Sequence, residues 1–160
     1  AILMGSKSDL ETMQAGADIL RSLEIPCEVK ITSAHRTPAN TQAYIKDAEQ
    51  RGCAVFIAGA GLAAHLAGAT AAHTLKPVIG VPIDAGPLQG MDSLLSTVQM
   101  PAGIPVATVA IGRTGAKNAA YLAAQILALS DADLAKRLRE EREQNTEKVL
   151  EQDRSIQASA

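Results

Sequence analysis

The sequence predicts a three-layer α/β protein: a doubly wound parallel sheet of about five strands with helices on both faces, followed by a C-terminal helix. Short β-rich runs alternate with helical patterns along the whole chain. Between the first two runs, Leu10, Met13, Ala17 and Leu20 recur at steps of three and four, the mark of an amphipathic helix, and Pro26 ends it. At 160 residues and 47% hydrophobic, the chain suits one folded domain that needs no staples.

In order, strands are expected at Ala1–Met4, Cys27–Thr32, Cys53–Ala58, Pro77–Val81 and Pro105–Ile111. After the first helix, further helices are expected at about Pro38–Arg51, Ala63–Thr74, Met91–Gln99 and Ala116–Leu129. Thr37 suits an N-cap and Pro38 the first helical position, where its missing N–H costs nothing. Residues 116–129 are apolar on almost every face, so that helix is expected to be buried all round, partly against another subunit. From Asp131 to about Leu150, Leu134, Leu138, Val149 and Leu150 are thinly spread among charged residues. That helix has little apolar face, and packing across a subunit boundary is expected of it. The organisation is therefore a catalytic domain over residues 1–130 and a helical extension over residues 131–160.

The formal net charge is −2, and Trp is absent with two Tyr and one Phe. This gives neither a basic footprint nor stacking platforms, so nucleic acid is not an expected partner. No apolar stretch reaches the ~18 residues of a membrane span, and no secretory signal is visible, so cytoplasm is the expected compartment and no membrane partner is expected. Cys27 and Cys53 lie in strand patterns without metal-ligand spacing and read as small core residues in a reducing compartment. No metal site is expected.

Three strand-to-helix loops carry the chemistry, and open α/β sheets bind ligands at that edge. In Met4-Gly5-Ser6-Lys7-Ser8-Asp9, a tight turn and two hydroxyls precede a helix N-terminus, an arrangement that binds phosphate. Asp9 either caps the helix or accepts bonds from ribose hydroxyls. In Ser33-Ala34-His35-Arg36-Thr37-Pro38, an imidazole lies beside a guanidinium that can hold phosphate oxygens in a fork. The bland reading is a loop histidine and a solvated charge. In the third loop, residues 58–68, small residues allow backbone to approach a flat ligand, with His65 just inside the following helix. His73, two turns further on, reads as structural.

These segments, together with Asp92-Ser93-Leu94-Leu95-Ser96, Val98-Gln99-Met100-Pro101 and Gly103-Ile104-Pro105-Val106, closely resemble the N5-carboxyaminoimidazole ribonucleotide mutases of bacterial purine synthesis, from Met4 to about Leu129. The third loop departs from that pattern, with Leu62 where the family usually has Gly and Ala67 where it has Pro. The resemblance implies a reaction without cofactor or metal, in which the carboxylate on the exocyclic amine of an aminoimidazole ribonucleotide moves to ring carbon C4 by way of CO₂. It implies His35 as general acid and base, with His65 as the second catalytic candidate. Ser6, Ser8, Ser33 and Arg36 match phosphate-holding positions, Asp9 the ribose-binding one, and Ala34 lies on the substrate beside them. Gly59, Ala60, Gly61, Ala63, His65 and Leu66 match the loop that covers the imidazole and carboxylate. The implied fold is flavodoxin-like, and the implied assembly is a homo-octamer with an exchanged C-terminal helix. Two alternatives stay open: a carboxylase taking CO₂ directly onto aminoimidazole ribonucleotide, whose third loop usually lacks this His, and a non-catalytic flavin- or nucleotide-binding module on the same fold. No strand-end loop carries an aromatic for a flavin ring.

Overall fold

Five parallel strands form one sheet in the order β2-β1-β3-β4-β5 in the computed structural model, which describes residues 1–158. The strands are β1 (Ile2–Met4), β2 (Val29–Ile31), β3 (Phe56–Gly61), β4 (Val78–Ile83) and β5 (Ala107–Thr108). The helices are α1 (Leu10–Ser22), α2 (Pro38–Gln50), α3 (Leu66–Ala71), α4 (Met91–Val98), α5 (Gly112–Ala128) and α6 (Ala132–Gln157). This is the flavodoxin-like α/β arrangement the sequence predicts. Two compact units divide the chain, Ala1–Ala123 and the segment from Ala124 onward.

The order reverses at β1. The chain moves from β1 outward to β2, then crosses back to β3 on the other side, so β1 and β3 flank the switch point where such sheets open a crevice. β1, paired on both sides, is apolar at every position, and Ile2, Leu3 and Met4 are all buried because both faces are covered. Leu3, Phe56, Ala58 and Val78 pack with Ile45 and Ala48 of α2 and Leu66 and Ala67 of α3 into one core. On the opposite face, α1 meets α5 where Gly16 lies against Ala116: a Cβ on Gly16 would stand 2.6 Å from the Ala116 carbonyl oxygen.

Several boundaries differ from expectation for identifiable reasons. β3 runs on through Gly59, Ala60 and Gly61, which pair with Val81, Pro82 and Ile83 of β4. Pro82, which lacks a donor, is tolerated because β5 pairs only with Ile79 and Gly80 and leaves that side of β4 open. α3 is shorter than Ala63–Thr74, running from its N-cap at His65 to its C-cap at Ala72. β5 contracts to two residues at the sheet edge. α5 is not buried all round. Its buried face is Ala116, Ala119, Ala120, Ala123 and Ala124, small residues that permit close approach, while Tyr121, Leu122, Ile126 and Leu127 stay half-exposed. Cys27 and Cys53 are free but only partly buried, not core residues. α6 is capped by Asp131, whose carboxylate accepts from the Leu134 N–H at 2.9 Å, and continues past Leu150.

Candidate active site

The loops after β1, β2 and β3 meet at the carboxyl edge of the sheet around the switch point. After β1 the chain makes a single 3-10 turn, Lys7–Asp9, before α1. Asp9 is buried, and its carboxylate turns back into the loop, where it accepts from the Ser6 N–H at 3.1 Å and the Ser8 hydroxyl at 3.2 Å. The Ser6 and Ser8 hydroxyls bond each other. Of the two readings of Asp9, α1 shows no side-chain cap from it. The carboxylate instead orders the hydroxyl-bearing turn.

The second loop is built on Ser33. Its carbonyl accepts from the Thr37 N–H at 2.9 Å, and its own N–H donates to the Thr37 hydroxyl at 2.9 Å, so Thr37 starts α2 with its side chain committed to the loop. The Ser33 hydroxyl accepts from the Arg36 N–H at 3.1 Å and from Arg36 Nε at 3.4 Å. Arg36 Nη2 then reaches across to donate to the Gly5 carbonyl at 2.7 Å, tying the first loop to the second. Beneath them the buried Thr32 and Thr41 hydroxyls are 2.6 Å apart and fix the end of β2 to α2. Neither threonine stood out in the sequence, where each is one more β-branched position.

The third loop brings in the second histidine. His65 is the N-cap of α3 rather than a residue inside it. Its Nδ1 lies 2.7 Å from His35 Nε2, with ring centroids 4.8 Å apart and planes at 81°, so the rings meet edge to face. One nitrogen must carry the proton and the other accept it, which fixes opposite tautomeric roles on the two rings. Both side chains are exposed, as is Arg36, so the pair opens to solvent.

The small residues of β3 have work inside the protein. The bare side of Gly59 is filled by Met13, whose sulfur would lie 2.3 Å from a Cβ there, and that of Gly61 by Ala85, at 2.8 Å. Ala63 is exposed, whereas the side chains of Leu66 and Ala67 point into the core, so Leu66 can meet a ligand only through its backbone. Ala34 is half-buried against that same core. Leu62 holds its left-handed φ of 56° with half its surface in water, a backbone cost for a leucine of about 1–2 kcal/mol. His73 sits in the turn after α3, its N–H on the Thr70 carbonyl at 2.9 Å. Among the described residues no group of His, Cys, Asp and Glu is arranged to hold a metal, and no helix is long and apolar enough to cross a membrane.

A sequence model of a family described as AIR carboxylase matches residues 1–148. The chain is 58% identical over 150 residues to the N5-carboxyaminoimidazole ribonucleotide mutase of Bacillus subtilis, covering 94% of this chain and 93% of that one. It is 56% identical over 151 residues to the mutase of the same name from Escherichia coli K12, covering 94% and 89%. Its fold is similar to a crystal structure of Treponema denticola PurE, with a TM-score of 0.85 and 31% identity over 97% of this chain and 96% of that one.

Proposed function

The chain belongs to the AIR carboxylase family, and on that premise we propose that it moves the carboxylate of N5-carboxyaminoimidazole ribonucleotide from the exocyclic nitrogen to C4, the reaction for which its relatives are named. The observation that carries the reading is the 2.7 Å contact between His35 and His65 at the switch point. It joins two loops from strands on either side of β1 into one proton-holding group.

The rearrangement needs one proton given and one taken. His35 donates to the exocyclic nitrogen as the N–C bond breaks and CO₂ departs; C4, enamine-like, attacks the trapped CO₂; His35 then removes the C4 proton and the ring regains its aromatic form. Net charge is unchanged over the cycle, and the imidazole returns to its starting state. His65 supports each step through the shared hydrogen bond, accepting from His35 Nε2 in one tautomer and donating to it in the other. The substrate's phosphate is held by the Ser6 and Ser8 hydroxyls of the first loop and by a charge-assisted bond from the Arg36 guanidinium of the second, a reading supported by the turn and by the tie of Arg36 to Gly5. Asp9, which holds that turn, also takes the ribose hydroxyls.

A homo-octamer in the cytoplasm completes the proposal. Leu88 and the α4 residues Met91, Leu95 and Val98 form an exposed apolar stripe, and α6 is solvent-facing along most of its length, features that favour burial against further copies of this chain. Both cysteines are free thiols, which suits a reducing compartment.

The deciding experiment incubates the protein with N5-carboxyaminoimidazole ribonucleotide alone, and separately with aminoimidazole ribonucleotide and bicarbonate, following the 4-carboxy product by chromatography. Fast product formation from the first mixture is expected. Product only from the second would make the protein a direct carboxylase, and product from neither would leave a binding module.

A further inference from the structure

The β3–α3 and β4–α4 loops touch at two successive positions with the sizes of the partners exchanged. At the first, Gly61 is the bare residue: a Cβ there would stand 2.8 Å from the Ala85 Cβ and 3.2 Å from the Ile83 carbonyl oxygen. At the second, Gly86 is bare and Leu62 fills the space, its Cδ2 2.6 Å from where a Gly86 Cβ would be. Gly86 itself has φ 72°, so both residues of this contact are in the left-handed region that glycine tolerates and leucine resists. Leu62 is 51% exposed, so deep burial does not account for its pose either. What the pose accomplishes is to close the seam between the two loops three residues before His65.

We propose that Leu62, seated on Gly86, is a positioning residue that ties the β3–α3 loop to the β4–α4 loop and so holds His65 against His35. The inference rests on the mutase reading of the site. The strain at Leu62 is sustained because the surrounding contacts over-determine the loop, which is how a disfavoured backbone persists beside a working site. Without the seat the loop has an open alternative, since the neighbouring contact of Gly61 with Ala85 and the Ile83 carbonyl involves no long side chain that could interlock. His65 caps a six-residue helix and its ring meets His35 edge to face, so the ring goes where the loop puts it.

Three variants test this: Gly86→Ala, which evicts Leu62; Leu62→Gly, which removes the contact without adding an atom; and both together. Turnover and KM are measured for each, and all three histidines are followed by their rates of modification with diethyl pyrocarbonate, read by peptide mass spectrometry. Gly86→Ala is expected to lower kcat roughly 10- to 100-fold, the scale on which small misplacements cost turnover, with KM changed less than about threefold. Modification of His65 should quicken in both single variants while that of His73 stays as in the parent. The double variant should lose clearly less than the product of the two single losses, because the clash at residue 86 needs the leucine whereas the backbone cost of an alanine at φ 72° does not. Unaltered His65 modification in both single variants, or losses in kcat that multiply in the double variant, would overturn the proposal. A parent protein without mutase activity would defeat the functional reading instead, and the modification rates would still decide the role of Leu62.

Discussion

Arg36→Lys keeps the positive charge and removes the fork. In the parent, Nη2 is held by the Gly5 carbonyl at 2.7 Å and Nε lies 3.4 Å from the Ser33 hydroxyl, which leaves Nη1 for an incoming phosphate. A lysine ammonium is a single point with three donors; it can reach the Gly5 carbonyl or a phosphate oxygen but cannot span both in one pose. One charge-assisted hydrogen bond is therefore lost on binding, a loss of about 1.5–3 kcal/mol. At about 1.4 kcal/mol per factor of ten, KM should rise roughly 10- to 150-fold. Turnover at saturation should fall less than about threefold, since no proton moves through Arg36. The assay is steady-state kinetics on the ribonucleotide, with binding of the nucleotide and its dephosphorylated nucleoside compared by calorimetry. The parent should prefer the nucleotide, and in the variant that preference should narrow by about the same factor as KM rises. A KM within about threefold of the parent, or an equal loss of nucleoside and nucleotide binding, would refute the assignment of Arg36 to phosphate.

His35→Asn should retain substrate binding and lower kcat by about 10²–10⁴, the range of a general acid–base contribution; turnover within threefold would remove His35 from the chemistry. Gly59→Ala drives a Cβ to 2.3 Å from the sulfur of buried Met13, so urea melts should show about 1–3 kcal/mol of lost stability, and combined with Met13→Ala the loss should be smaller than the sum of the two single losses. An unchanged midpoint would mean that Met13 swings aside freely. Light scattering should give a species larger than a dimer, and Leu95→Glu on the exposed stripe of α4 should shift it toward smaller species. A monodisperse monomer at micromolar concentration would remove the assembly proposal.

The sheet and its order of elements were legible because hydrophobic period and turn residues agree along most of the chain: Leu10, Met13, Ala17 and Leu20 could only be one face of a helix. His35 and Arg36 were visible for a local reason, a strand ending in a polar run that a capping Thr-Pro pair closes. The third loop was harder to read. Gly59, Ala60 and Gly61 have poor strand propensity, which measures how side chains pack on a pleated surface. Here the surface is packed by other residues, Met13 and Ala85, pressing on bare backbone, and no local pattern encodes a neighbour that distant in sequence. The same applies to the pairing of Leu62 with Gly86 and to the bond from Arg36 to Gly5. The stripe of Met91, Leu95 and Val98 is readable in its spacing, but spacing alone does not say whether a face turns to the core or to solvent; the fold shows it turned out.

The reversal of strand order at β1 also bears on when the site can come into being as the chain is made. Every side chain assigned here to proton transfer or phosphate lies among residues 6 to 65, and β2, β1 and β3 are neighbours in the finished sheet. A growing polypeptide that has released its first sixty-odd residues thus holds both histidines, thirty positions apart, in the loops that follow two strands pairing with a common partner. Ala85 and Gly86 come later in the chain, so the reactive pair is drafted early and held to its final spacing only once β4 has been laid alongside β3. Interruption of synthesis between those two points would leave a fragment that carries the chemistry without the support that aims it.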